Sequence, residues 1–485
     1  MSDLEDLTAA QGVLDGKRYL DSLDDGREVW LDGERVSDVA GHPAFRGAAR
    51  ELARQFDLQH HPDHRDLLTW ESPRTGNRLA QSYRPPRSVA DLRVVRRGAE
   101  FWFRESWGQH GRSPAFMATI LVGLYDFRNR LAAARPEFGA NAERYYTHVA
   151  ENDLVLTHAL GDPQIDRSAD PVEHPDNALR IVAERPDGIV VRGAKQLTTL
   201  APLANEVLVY LSASFARRGA ERFVVWFALP LATPGLRILC REPFGATPYG
   251  HAHPFAARFD EQDAMLFFED VLVPWDRVFL LHDGALALEG LRRITAWSAY
   301  IGLVRYRERL RTLLAVATLA ADSIGVAGFR NIQEDLGELT SFVRVLDHFI
   351  AAGEADARPT DGGLLAPGDL TATAVWAAET SGRAVQILRR IGGSGVLMQP
   401  TERDLASELR PQLDRYMRGR DIGAAEKSRL FRLAWDLVGD GFGQRQDLYE
   451  FVHRGDLARN RINLFLRHDQ EDVLGRVREL ISRPL

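Results

Sequence analysis

Three short stretches hold the side chains best suited to chemistry. "LTHALGDPQIDR" (156–167) sets His158 beside Thr157, then runs Gly161, Asp162, Gln164, Ile165, Asp166 and Arg167 through a turn-forming segment. An unperturbed imidazole titrates near ~6.5, so His158 can take or share a proton near neutrality. "GRSPAF" (111–116) puts Arg112 just before a helix start, with Ser113 as cap and Pro114 at the first helical position. A guanidinium there can orient an oxygen anion by charge-assisted hydrogen bonds, or serve only in a surface ion pair. "VRGAKQLTTLAPLANE" (191–206) ends a strand at Thr198 and Thr199, whose hydroxyls can meet a ligand or cap a turn. Each stretch, taken singly, also fits a capped helix end or a surface loop.

Two further stretches carry weaker signals. In "IGGSGVLMQP" (391–400) Gly392 reads as a helix stop, and Gly393, Ser394 and Gly395 leave backbone N–H groups that can receive a phosphate. "HHPDH" (60–64) has metal-ligand residue types, but adjacent histidines in a proline-bearing loop are more often solvated. The phosphate-loop, H-E-x-x-H and G-x-S-x-G patterns do not occur, and no G-x-G-x-x-G follows a strand, so a nicotinamide dinucleotide site of Rossmann type is not expected. The single cysteine, Cys240, excludes an intrachain disulfide, a cysteine-based zinc site and an all-cysteine iron–sulfur cluster.

These residues must be positioned by elements whose periods change along the chain. From about 38 to 150 the period is helical. "SVADLRVVRRGAEFWFRESWG" opens on Ser88 with Asp91 three residues on, and Leu92, Val95, Ala99 and Phe103 form one apolar stripe. From about 176 to 280, short runs such as "LRIVAERPDGIVVRGAKQL" and "RFVVWFALPL" predict strands of a small sandwich or barrel. Beyond 283, long helical segments predict a bundle that packs on itself or on another subunit. The 485 residues suffice for two or three domains; a hydrophobic share of 45% and a charged share of 27% are ordinary for a soluble protein. A net charge of -7 with dispersed basic residues gives no footprint for nucleic acid. No apolar run is long enough to cross a bilayer and no signal peptide is evident, so the chain reads as cytoplasmic.

In chain order, "ESPRTGNRLAQSYRPPRSVADLRVVRR", "GRSPAF", "ENDLVLTHALGDPQIDR", "RGAKQLTTLAPLANEVLVY", "FFEDVLVPWDRVF", "IGGSGVLMQP" and "KSRLFRLAWDLVGDGFGQRQDLYEFVHRGDL" resemble the 4-hydroxyphenylacetate 3-hydroxylase family, from about residue 10 to 470. That family comprises oxygenase components of two-component flavin monooxygenases. The resemblance implies an acyl-CoA-dehydrogenase-like fold, mainly α with a central β-barrel: a helical domain (1–150), the barrel (151–282) and a four-helix bundle (283–485). It implies a homotetramer, a dimer of dimers, that takes reduced FAD from a separate NAD(P)H-dependent flavin reductase, uses O2 and needs no metal.

It also implies roles. Arg112 and His158 would meet a phenolic oxygen beside the flavin, with Phe116 and Ser212 lining the substrate. The electron-rich phenolate would attack, through its ortho carbon, the distal oxygen of a flavin C4a-hydroperoxide. His158, the segment from Gln164 through Ile165 and Asp166 to Arg167, and Thr198 with Thr199 would contact FAD, as would Gly392, Gly393, Ser394, Gly395, Arg454, Gly455 and Asp456. One departure concerns the substrate. The family pattern after the arginine is S-P-D-Y, and its tyrosine also reaches the substrate oxygen; this chain has Ala115 and Phe116. The change opens the substrate beyond 4-hydroxyphenylacetate to a different phenol, a carrier-bound tyrosine-like group or another electron-rich aromatic. Competing readings are a dehalogenating phenol oxygenase, an acyl-CoA dehydrogenase-type flavoenzyme and a non-catalytic scaffold; the iron–sulfur 4-hydroxybutyryl-CoA dehydratase branch is excluded by the lone cysteine.

Overall fold

The computed structural model describes residues 4, 10–166, 168, 172–174, 176, 178–210, 219–246 and 252–483. Its N-terminal helices are α1 (Gly16–Asp21), α2 (Arg46–Leu58), α3 (Pro62–Leu68), α4 (Val89–Glu105), α5 (Pro114–Ala134) and α6 (Pro136–Asn152). Local chemistry explains their starts. The Ser88 hydroxyl accepts from Asp91 N at the head of α4, and Leu92, Val95, Ala99 and Phe103 are buried as the period predicts. Ser113 caps α5 by accepting from Phe116 N, with Pro114 in the first turn. His61 of the histidine cluster caps α3 by accepting from Asp63 N. Asp153 ends α6 in the left-handed region (φ 51°), and its buried carboxylate accepts from Leu14 N (3.0 Å) and Gln59 Nε2 (2.8 Å).

The strands are β1 (Glu28–Leu31), β2 (Glu34–Val36), β3 (Thr69–Glu71), β4 (Arg78–Ala80), β5 (Leu156–Ala159), β6 (Arg180–Arg185), β7 (Gly188–Thr199), β8 (Glu206–Val209), β9 (Val225–Pro230), β10 (Leu236–Cys240), β11 (Asp263–Pro274) and β12 (Val278–Leu281). They form a six-stranded sheet ordered β2-β1-β10-β11-β7-β6 and a four-stranded sheet ordered β12-β9-β8-β5, with β3 and β4 paired apart. Among the described residues these sheets do not close into the expected β-barrel, because no pairing joins their edge strands. The chain leaving β5 bridges to β7, Gly161 to Gln196, and the sheets also meet where the Thr157 hydroxyl donates to Thr199 O (2.6 Å) and the Phe227 and Phe268 rings pack edge to face. The N-terminal region is not wholly helical either, because β1 pairs in parallel with β10.

The C-terminal region contains α8 (Gly284–Ile294), α9 (Ala296–Ser323), α10 (Arg330–Ala355), α11 (Thr371–Leu397), α12 (Glu402–Leu405), α13 (Arg410–Tyr416), α14 (Ala424–Val438), α15 (Gly441–Val452), α16 (Leu457–Arg467) and α17 (Glu471–Ser482); α7 (Ala256–Phe259) precedes β11. Helices α9, α10, α11 and α14 form the bundle around Leu303, Leu310, Leu346, Leu388, Phe431 and Leu437, all buried. α9 is also buried against α4 and α5, which places the bundle directly behind the N-terminal helices. The helix stop expected at Gly392 falls within one residue of a break: Gly393 (φ 51°, ψ -144°) is non-helical, so α11 is two helical segments meeting there, and Val396 of the second is buried in the bundle core. No helix among the described residues is long and apolar enough to cross a membrane.

Candidate active site

His158 lies on β5, which pairs in parallel with β8 so that His158 faces Leu208 and Ala159 faces Val209. One residue further, Tyr210 N donates to Ala159 O (3.3 Å), and this register sets the Tyr210 hydroxyl against His158 Nδ1 in a short hydrogen bond. The rings lie 5.6 Å apart and Tyr210 is buried. Burial, with the Arg112 charge adding to it, pushes His158 well below 6.5, so the imidazole is neutral at pH 7. The expected titration near neutrality is thereby corrected. Burial also raises the Tyr210 hydroxyl far above its ordinary value, leaving it a neutral phenol.

Arg112 approaches from the other side, on the loop between α4 and α5, and is buried. It is no surface ion pair. Its N–H donates to Glu261 Oε1 (2.5 Å), and Nη1 donates to the Tyr449 hydroxyl (2.6 Å), which donates in turn to Gly111 O (2.9 Å). The guanidinium lies 4.7 Å from the Phe116 ring centroid, and its Nε is buried without a partner. Helix α15 supplies most of this support. Arg445 reaches Glu261 (3.1 Å) and Asp263 (2.5 Å), and Gln446 donates to Gln109 O (2.9 Å). Glu450 pairs with Arg305 (2.5 Å), which also donates to Gly108 O (2.7 Å). Burial opposes the Asp263 charge, but Arg445 and Arg241 outweigh it and hold the carboxyl below the ordinary range. Gly108 (φ 70°) is required here: a Cβ would stand 2.3 Å from Arg309 N on α9.

The segment that follows His158 is braced more simply. Lys195 on β7 pairs with Asp162 (2.6 Å) and donates to Leu160 O (3.3 Å), and Gln164 N donates to Gln196 Oε1 (3.3 Å). Thr198 and Thr199 sit between Leu197 (φ 59°) and Leu200 (φ 74°), both left-handed, a conformation non-glycine residues keep only where surroundings enforce it. The Thr199 hydroxyl donates to Asp263 Oδ1 (2.7 Å), whereas Thr198 Oγ1 is buried without a partner. Ile165 and Leu197, on adjoining segments, expose large apolar side chains. Apolar surface beside an orphaned hydroxyl suits a flat, hydrogen-bonding ring system, so these residues fit FAD. Arg167 and Ser212 lie outside the described residues.

Gly392, Gly393, Ser394 and Gly395 belong to the bundle, where a Cβ on Gly395 would stand 2.8 Å from the Phe431 ring; within one protomer the structure does not join them to Arg112 and His158. Arg454 pairs with Glu450 (3.0 Å), Gly455 turns with φ 90°, and Asp456 caps α16 by accepting from Arg459 N. His453, just before them, stacks on Tyr449 at 4.2 Å. Sequence reasoning missed Tyr210, Glu261, Arg445, Tyr449 and His453. A weak signal existed, since Arg445, Tyr449 and His453 recur four residues apart on one helical face. A separate cavity lies under the α5 N terminus, lined by Trp102, Tyr83, Ala115 and Asp153. Burial there raises the Asp153 carboxyl to about 6.

Comparison with known proteins accords with this geometry. Family models for the 4-hydroxyphenylacetate 3-hydroxylase N terminal and C terminal regions match residues 15–280 and 291–482. The oxygenase component of 4-hydroxyphenylacetate 3-monooxygenase from Thermus thermophilus is 34% identical, over 97% of this chain and 98% of its own. A Streptomyces globisporus monooxygenase acting on a (3S)-3-amino-3-(3-chloro-4-hydroxyphenyl)propanoyl group on a peptidyl-carrier protein is 32% identical, over 95% and 88%. A crystal structure of a 4-hydroxyphenylacetate 3-monooxygenase oxygenase component with FAD and 4-hydroxyphenylacetate superposes with a TM-score of 0.91, at 33% identity, covering 97% of this chain and 98% of that one. The chain shares the fold of that oxygenase component, and these matches do not favour acyl-CoA dehydrogenase activity. The chain belongs to the 4-hydroxyphenylacetate 3-hydroxylase family of FAD-dependent monooxygenase oxygenase components.

Proposed function

We propose that this chain hydroxylates a phenol ortho to its hydroxyl, with Arg112 and His158 flanking the substrate oxygen. Reduced FAD together with O2 supplies the electrophilic oxygen atom. The chain's own residues bind and orient the phenol: the guanidinium of Arg112 offsets charge on the substrate oxygen, which makes the ring a stronger nucleophile. The reading rests above all on the meeting of these two side chains. They come from different elements, Arg112 acts electrostatically on His158, and each keeps a nitrogen without a partner among the described residues. Phe116 supplies apolar surface and no hydroxyl, and the Tyr449 hydroxyl is already engaged by Arg112 and Gly111. Such a site favours a phenol whose oxygen is served by Arg112 and His158 alone, whether the phenol is free or carrier-tethered.

Gln164 to Arg167, Thr198 and Thr199 would lie along the flavin, with Gly392 to Gly395 and Arg454 to Asp456 reaching the cofactor across subunits. A homotetramer fits the C-terminal surface. α16 and α17 contain no buried residue, yet expose Ile462, Phe465, Leu466, Val473, Val477, Leu480 and Ile481. A separate NAD(P)H-dependent flavin reductase in the same cytoplasm would deliver the reduced FAD. The test is His158→Ala with a generic reductase and a panel of phenols, reading products by mass for one added oxygen. Hydroxylation should fall by roughly 10²-fold or more, far more than flavin affinity, and hydrogen peroxide should accumulate; a native hydroxylation rate would overturn the assignment.

A further inference from the structure

The hydrogen-bond inventory of the pocket determines which form of the phenol it accepts. A neutral imidazole has one N–H and one bare nitrogen, and a tyrosine hydroxyl has one proton to place. Tyr210 is buried, and among the described residues its hydroxyl meets one acceptor, His158 Nδ1. If Nδ1 carried the imidazole proton, the Tyr210 O–H would be a buried donor without an acceptor, an arrangement folded proteins avoid. The hydroxyl therefore donates to Nδ1, and the imidazole proton resides on Nε2. We propose that Tyr210 is a positioning residue that locks His158 in its Nε2–H tautomer, so that His158 donates to a phenolate oxygen instead of removing the proton of a phenol.

This proposal rests on the reading above, in which the substrate oxygen lies between Arg112 and His158. With that tautomer the described residues around this oxygen, Arg112, His158, Phe116 and Tyr449, offer it only donors. Arg112 has no acceptor, Phe116 has no polar atom, and the Tyr449 hydroxyl accepts from Arg112 and donates to Gly111 O. A neutral phenol would leave its own O–H unsatisfied there, while a phenolate accepts from both sides. The substrate proton is then lost to solvent as the phenol binds, and the Arg112 charge offsets the anion left behind. Tyr210 thus acts at one remove from the reacting atoms.

The test uses 4-nitrophenol, whose phenolate absorbs visibly and whose phenol does not, titrated against pH with the full-length protein. The wild type should bind the phenolate at least about tenfold more tightly than the phenol, which lowers the apparent pKa of the bound probe. The isosteric Tyr210→Phe should cut that preference several-fold while leaving FAD affinity unchanged. His158→Gln, which keeps an N–H near the Nε2 position, should retain more of it than His158→Ala. If Tyr210→Phe leaves the preference intact while Arg112→Met abolishes it, the tautomer lock is wrong and the site reading survives. If neither substitution changes it, the placement of the phenol oxygen is wrong as well. A wild-type preference for the neutral phenol overturns the donor-only pocket.

Discussion

The two arms of the site are held in different ways. Arg112 hangs in a lattice of buried charges: Glu261 and Tyr449 touch it, and Arg445, Arg305, Glu450 and Gln446 fix those contacts and the loop carrying it to α9 and α15. His158 and the segment after it depend on a short parallel strand pairing, one lysine–aspartate pair and one tyrosine. The first arm is fixed by α15, over three hundred residues away in the chain; the second is fixed by the sheet beside it. Buried ion pairs add little net stability when complete, but removing one member leaves a desolvated charge and costs heavily. The arm that fixes a permanent charge is thus built to fail as a unit. The arm that presents a neutral donor and an exposed apolar edge can change in steps.

The largest effect should come from breaking the lattice. Arg445→Met strands Glu261 beside Arg112 and leaves Asp263 with Arg241 as its remaining cation. Stability should fall by about 3–5 kcal/mol, read by denaturant unfolding at fixed protein concentration, and hydroxylation should fall with it. Lys195→Met on the other arm should cost less, about 1.5–3 kcal/mol, because the freed Asp162 side chain retains 15% exposure and can draw on water. Its main signature should be weaker FAD binding, read by flavin fluorescence titration. If Lys195→Met proves the more destabilising, or if Arg445→Met weakens only flavin binding, the contrast between the arms collapses.

What the sequence revealed follows the same division. Ser88, Ser113 with Pro114, and the α4 stripe were legible because caps and helical periods are written within a few residues. Arg112 and His158 were named through resemblance, since nothing within "GRSPAF" or "LTHALGDPQIDR" says that the two meet. Tyr210, Glu261, Arg445 and Tyr449 were not legible, because each acts through a long-range register: the parallel pairing of β5 with β8, or the docking of α15 beneath the 108–112 loop. The stop signal at Gly392 was legible for the same local reason as the caps, since the helix breaks one residue on at Gly393, whereas barrel closure was not, because it depends on pairing between edge strands far apart in the chain.

A smaller effect should separate orientation from stability. Tyr449→Phe removes the acceptor for Arg112 Nη1 and the donor to Gly111 O but leaves every charged pair in place. Stability should drop by about 0.5–1.5 kcal/mol, while the KM for the phenol rises more than kcat falls, because Arg112 gains freedom to swing from the substrate oxygen. An unchanged KM would mean that the backbone anchor of Arg112 to Glu261 and the stacking of its guanidinium on the rings of Phe116 and residue 449 hold the side chain without the hydroxyl.

The smallest effect concerns the clamp on the first turn of α15. His253 Nδ1 lies 2.8 Å from Asp440 Oδ2 and 3.7 Å from Asp436 Oδ1, while Asp440 caps α15 and Asp436 Oδ2 accepts from Phe255 N and Ala256 N. Hydrogen bonds to Asp436 and Asp440 raise His253 to about 9, so it is charged at pH 7. A base whose folded value lies above its unfolded value, near ~6.5, binds more protons folded than unfolded between the two. Its contribution is therefore full below pH 6.5 and is lost as pH rises through about 9. Burial raises Asp436 to about 6, so its own pH-dependent loss falls lower, between its unfolded value and about 6. The melting temperature should decline between pH 6.5 and 9, and His253→Asn should flatten that decline without altering the lower window. Because the clamp holds the helix that carries Arg445 and Tyr449, alkaline weakening should reach phenolate binding at the Arg112 arm before flavin binding at the His158 arm. If flavin affinity fails first, the two arms are not independently held.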